Sequence, residues 1–159
     1  GALVRHGRIE SGARGAAGAV GHLPVPGAGR LRCGCGRYGH LEAVASGTGL
    51  AAAYALRTGE RVTGRVVAER AAAGEPVARE VLEAAGTALG AALAGLVALL
   101  DPERVLVAGG AAGALLPAAA GAFVAELPTA WADVPLLPAG LGTDAVVVGA
   151  ARLATMEET

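Results

Sequence analysis

Aromatic residues make up only 3% of the 159-residue chain: one Trp, one Phe and two Tyr. So few rings leave no stacking platform for single-stranded nucleic acid. Lysine is absent; all 13 basic residues are arginines, set against 14 acidic ones for a net charge of -1. That balance gives no basic field to attract nucleic acid in general. Two cysteines are too few for a disulfide scaffold. The opening stretch, Gly1 to Gly12, has no apolar core of a secretory signal and no initiator Met. It reads as the middle of a longer protein, and the expected location is cytoplasmic. Alanine, glycine and arginine fill the places of lysine and isoleucine, a codon-bias signature with no functional content. What remains is 53% hydrophobic, enough to bury the core of one domain or one lobe of a larger fold.

Residues 2–10 read as two short strands around a turn at His6-Gly7. Residues 11–40 are rich in Gly, Pro and Arg, a long irregular stretch for a compact domain and therefore functional or pinned by something other than a core. From Glu42 the pattern turns helical, and a second helix covers 64–74. The clearest helix runs from Glu75 to Leu100. Val77, Val81, Ala85, Leu89, Leu93, Leu96, Val97 and Leu100 recur at helical spacing, with Pro76 in the first turn and Pro102 beyond the end. Its uncharged run, 84–100, is at the lower length limit for a membrane span, and a buried helix is the better reading. Residues 103–110 form a strand ending in a glycine pair. A helix over 114–127 contains Pro117, a proline-interrupted edge strand covers 133–140, and a closing helix over 143–156 starts with Thr143 as N-cap. Strands separated by long helices indicate an α/β fold.

The chemistry concentrates in residues 22–42. Cys33 and Cys35 are one residue apart, and His40 follows. A disulfide across a single glycine is strained; an ordinary loop with incidental thiols remains open. Zinc fits better, because thiolate and imidazole are its preferred ligands and four of them close a tetrahedral structural site. His22 is the candidate fourth ligand and His6 its competitor. A metal would also explain how so long a loop stays ordered.

The segments "GARGAAGAVGHLPV" and "CGCGRYGHLEAVASG", followed by "LDPERVLVAGG" and "LGTDAVVVGAARLA", resemble the ROK family of sugar kinases and sugar-responsive repressors. The family pattern is Glu-x-Gly-His, then Cys-x-Cys-Gly-x-x-Gly-Cys-x-Glu. The resemblance implies an actin-like, ribonuclease-H-like α/β lobe with a zinc-stapled loop at 11–42. Residues 1–159 would form the C-terminal sugar- and nucleotide-binding lobe, the N-terminal lobe lying outside this sequence. It implies His22, Cys33, Cys35 and His40 as zinc ligands, with His40 standing where most members have a third cysteine. It further implies His22 and Glu42 as sugar contacts, and Gly109 and Gly110 as the turn against the nucleotide. The residue matching the glutamate of Glu-x-Gly-His is Ala19, which cannot accept a hydroxyl hydrogen bond. Glu42 also has a plainer reading, as a carboxylate at a helix N-terminus.

The implied function is ATP-dependent phosphorylation of a hexose or amino sugar, with ATP and Mg²⁺ as cofactors and a homodimer as the assembly. The alternative is the effector lobe of a sugar-sensing repressor, in which case nucleic acid is a partner of the whole protein. The family's Asp-x-Gly-Gly-Thr phosphate loop and its Asn-Asp pair are not in this sequence. None of Asp101, Asp133 and Asp144 sits in a base-like setting, so no catalytic residue is assigned and the lobe alone is expected to be inactive.

Overall fold

A computed structural model describes residues 1–156. The hairpin β1 (Val4–Arg5) and β2 (Arg8–Ile9) is antiparallel and turns at His6-Gly7, where φ is positive at both residues. Positive φ at both turn positions is the two-residue turn whose twist matches that of the flanking strands. Irregular chain follows to residue 40, broken by one short 3-10 turn, Val20–His22. Two isolated bridges, Pro24 with His40 and Arg32 with Tyr38, fold this stretch back on itself.

The expected helix onset at Glu42 is corrected. Leu41–Ala43 form a separate 3-10 turn, and α1 (Gly47–Thr58) begins only after Ser46. Ser46 accepts the Gly49 N–H at 3.0 Å, satisfying one of the free amides of the first turn, and Gly59 ends the helix at φ 79°. In α2 (Gly64–Ala72), Thr63 plays the same capping part toward Val66. The third helix, α3 (Pro76–Leu100), has Pro76 in its first turn and closes at Asp101, which takes the left-handed conformation at φ 44°.

The chain then enters β3 (Val105–Val107), turns through Gly109-Gly110 into α4 (Ala112–Glu126), and returns as β4 (Leu136–Pro138). Strands β3 and β4 pair in parallel, Val105 opposite Leu136, as the crossover helix requires. Pro117 sits inside α4. A 3-10 turn, Gly142–Asp144, precedes α5 (Ala145–Met156). The cap expected at Thr143 rests on a side chain outside the described residues.

α3 is the spine. Its first half joins Leu50, Tyr54, Val67, Ala71 and Leu115 through Ala78, Val81 and Ala85. Its second half, Leu93, Ala94 and Val97, packs on Phe123, Leu127 and the inner face of β3. By length and composition α3 is apolar enough to cross a membrane. Its Gly86 and Gly90 lie one turn apart and buried against α4. A Cβ on Gly90 would come within 2.8 Å of the Phe123 nitrogen, and one on Gly86 within 2.5 Å of the Ala118 Cβ. The missing side chains let the two helix backbones approach closely.

Candidate functional site

The loop 20–42 builds the site. The 3-10 turn Val20–His22 presents one imidazole, and the Pro24–His40 bridge brings the second beside it, with ring centroids 5.3 Å apart. Cys33 Sγ lies 3.6 Å from His22 Nδ1, and Cys35 Sγ lies 3.3 Å from His40 Nδ1. One ligand atom from each of the four residues falls within 4.8 Å of all the others. A tetrahedral zinc with Zn–S of about 2.3 Å and Zn–N of about 2.0 Å separates sulfur from nitrogen by about 3.5 Å. The two measured pairs lie close to that value, and the two thiols are not joined to each other. The donor set therefore fits zinc. His6, the competing ligand, stays at the hairpin tip.

Cys33 is buried and Cys35 exposed. The backbone amide of Cys35 favours the Cys33 thiolate, but burial, the Cys35 side chain and the charge of Glu42 outweigh it and hold the thiol above its ordinary pKa. A bound cation would supply what the thiolate lacks.

Glu42 stands directly against this cluster. Its Oε1 accepts the Gly34 N–H at 3.2 Å and lies 3.6 Å from Cys33 Sγ, leaving Oε2 beside Gly21. The carboxylate is thus tied to the loop through one oxygen and offers the other. It also lies in the first turn of Leu41–Ala43, so the plainer reading describes its place but not its contacts. Next to it opens a pocket of about 230 Å³. His22 and Glu42 are the two ionisable side chains of its wall; Ala16, Ala17 and Ala19 present methyl groups on the same wall.

The glycine turn after β3 lies elsewhere. Gly109 takes φ 108° and Gly110 lines a separate cleft of about 880 Å³. Gly109 itself is not on that lining. The rest of the lining is made by the first turns of α1 and α2, Gly47 and Thr48 with Thr63, Gly64 and Arg65, and continues along α2 through Glu69 to Ala72. Gly64 permits the convergence, since a side chain there would collide with the Gly47 carbonyl. Thr48, Thr63, Arg65 and Glu69 were not anticipated from sequence. The available signal was an arginine in the first turn of a predicted helix, where an acidic residue is the usual choice.

Outside the lining of the cleft, Tyr54 donates its hydroxyl hydrogen to Glu75 Oε1 at 2.6 Å and accepts from Arg70 at 2.6 Å. Arg70 also grips Glu60 through two bonds of 2.7 Å. The hydrogen bond to Glu75 raises the Tyr54 pKa, and Arg70 lowers that of Glu60. This network ties α1, α2 and the start of α3 together.

The fold is shared with solved ROK proteins, both sugar kinases and a transcriptional regulator. Over 98% of the chain the structure superposes on a ROK hexokinase of Thermus thermophilus, with a TM-score of 0.87 and 35% identity, covering 53% of that protein. A ROK glucokinase of Streptomyces griseus, solved with glucose and AMPPNP, matches 96% of the chain with a TM-score of 0.81 and 30% identity, covering 55% of it. A ROK transcriptional regulator, a homologue of the Escherichia coli MLC protein, matches 86% with a TM-score of 0.71 and 29% identity, covering 38% of it.

The chain belongs to the ROK family, whose model matches residues 1–157. Among curated relatives, the bifunctional enzyme NanE/NanK of Brucella melitensis is 39% identical over 97% of the chain and 28% of its own length. The N-acetylmannosamine kinase of Escherichia coli O139:H28 is 36% identical over 99% of the chain and 54% of its own length. The glucokinase of Halalkalibacterium halodurans is 32% identical over 99% of the chain and 53% of its own length. The chain spans about half the length of these relatives, or less.

Proposed function

We propose that this chain is the sugar- and nucleotide-binding part of an ATP-dependent kinase that phosphorylates a hexose or amino sugar. The observation that carries the reading is the presence of two separate clefts, one beside His22 and Glu42, the other beside Gly110 and the first turns of α1 and α2. A phosphoryl transfer needs two such sites, because catalysis is largely positioning of donor and acceptor.

In this reading zinc, held by His22, Cys33, Cys35 and His40, supplies structure and no bond-making. The imidazole of His22 turns Nδ1 to Cys33, which leaves Nε2 for a sugar hydroxyl. Glu42 Oε2 accepts a second hydroxyl. Gly109 shapes the turn that lets the Gly110 backbone approach the nucleotide. Mg²⁺ would neutralise the phosphate charge when bound with ATP. None of the three aspartates lines either cleft; in this reading the base that takes the sugar proton belongs to another part of the whole protein, and the chain alone does not turn over ATP. A cytoplasmic homodimer is the proposed state of the whole protein.

Titration calorimetry of the zinc-loaded chain with glucose and N-acetylmannosamine tests the sugar site. Saturable heat that Glu42→Ala abolishes is expected; no saturable heat with either sugar would overturn it. The likeness to a ROK regulator favours a second reading, a repressor effector lobe that binds sugar alone. Binding of MgATP to the cleft of Gly110 separates the two, since the repressor reading predicts none.

A further inference from the structure

Among the twelve residues lining the Gly110 cleft, Arg65 and Glu69 are the two that carry charge. They lie one helical turn apart on α2 and pair with each other, Arg65 Nε to Glu69 Oε1 at 2.8 Å. As a device for stabilising the helix this pair is poorly arranged. Arg65 stands in the first turn, where the helix dipole disfavours a cation, and Glu69 lies beyond it toward the negative end. The order is also the weaker one, since the acidic partner does better on the N-terminal side. Both side chains are exposed, 88% and 58%, so opening the pair costs little.

We propose that Arg65 and Glu69 are nucleotide-reading residues whose pairing is broken by the ligand. Arg65 turns to the phosphates, which the first turns of α1 and α2 also face, and Glu69 accepts hydrogen bonds from the ribose hydroxyls. Without a nucleotide the two charges satisfy each other. A nucleotide offers both an anion and a diol about one helical turn apart, and so replaces each partner with a better one. This rests on the reading of the cleft as a nucleotide site.

The test is a series of amide-resolved NMR titrations of the zinc-loaded chain with MgATP, adenosine and 2′,3′-dideoxyadenosine, repeated on Arg65→Ala and Glu69→Ala. Alanine suits an exposed helical position, so both variants should fold. The native chain should prefer MgATP to adenosine, and adenosine to its dideoxy analogue. In Arg65→Ala the first preference should fall about tenfold with adenosine binding unchanged. In Glu69→Ala the second preference should fall to about one while the first survives. Either preference persisting in its variant overturns the role of that residue. If no nucleotide shifts the amides around Gly110 in the native chain, the nucleotide reading of the cleft itself fails, a result distinct from binding that ignores the two substitutions.

Discussion

Gly34→Ala separates the part Glu42 plays toward a ligand from the part it plays in the loop. The φ of Gly34 lies outside the left-handed region, so alanine meets no backbone penalty there. Its Cβ would stand 2.8 Å from Glu42 Oε1, the oxygen that accepts the Gly34 N–H at 3.2 Å. That is too close, and the flexible end of Glu42 must give way, losing its tie to the loop. A hydrogen bond to a charged group has a net worth of about 1.5–3 kcal/mol. Because Glu42 is half-buried and both groups can rehydrate, the loss of fold stability should lie at or below the lower end. The larger effect falls on the sugar, whose hydroxyl then meets a carboxylate that is no longer held in place. Losing one such contact weakens binding about tenfold or more. Calorimetry with glucose and N-acetylmannosamine, on protein with measured zinc content, reads both quantities. Unchanged sugar affinity in Gly34→Ala with zinc still bound would refute the claim that the loop aims Glu42.

Tyr54→Phe removes the hydroxyl that links Glu75 and Arg70, and should lower the melting temperature by about 3–8 °C at neutral pH. Native Tyr54 has a raised pKa in the folded chain, so its contribution is full below the ordinary tyrosine value and is lost as pH rises through the folded value. Thermal melts should show an alkaline loss in the native chain that Tyr54→Phe lacks. Glu60 is held below its ordinary pKa by Arg70, so its contribution is present at neutral pH and lost as pH falls below the usual carboxylate range; Glu60→Gln should flatten that acid limb. Gly90→Val should force α3 from α4 and destabilise the fold by about 1–3 kcal/mol or more. Gly95→Ala, on the same helix with no atom near its Cβ position, should stabilise it by up to about 1 kcal/mol. Equal effects of these two in urea denaturation would contradict the packing described.

Local rules carried the sequence reading wherever the signal was local. The hairpin, the limits of α3 between Pro76 and Leu100, and the strand into Gly109-Gly110 follow from turn chemistry, periodicity and proline placement. The convergence of His22, Cys33, Cys35 and His40 was legible because thiols and imidazoles so closely spaced in a glycine-rich loop match the side-chain types of a metal centre. Helical onset was misjudged at Glu42, because an alanine-rich sequence keeps helical character across a 3-10 turn and the true start depends on the Ser46 cap. Of the cleft, the resemblance pointed only to the Gly109-Gly110 turn, and the wall made by α1 and α2 was not legible. Thr63 and Arg65 lie 45 or more residues from Gly110 in sequence, and only the close approach at Gly64 brings α2 against α1 there. The Tyr54–Arg70–Glu60 network was hidden for the same reason, since its members lie on α1, on α2 and in the connection between them and meet only when the two helices pack.

The claim on which the rest depends is that a metal organises residues 20–42 and thereby aims Glu42. Metal analysis of the purified chain, combined with thiol titration, tests it directly. The account predicts one zinc per chain, with Cys33 and Cys35 unreactive until a chelator removes it. A metal-free protein whose two thiols both react freely, with the loop equally ordered, would contradict it.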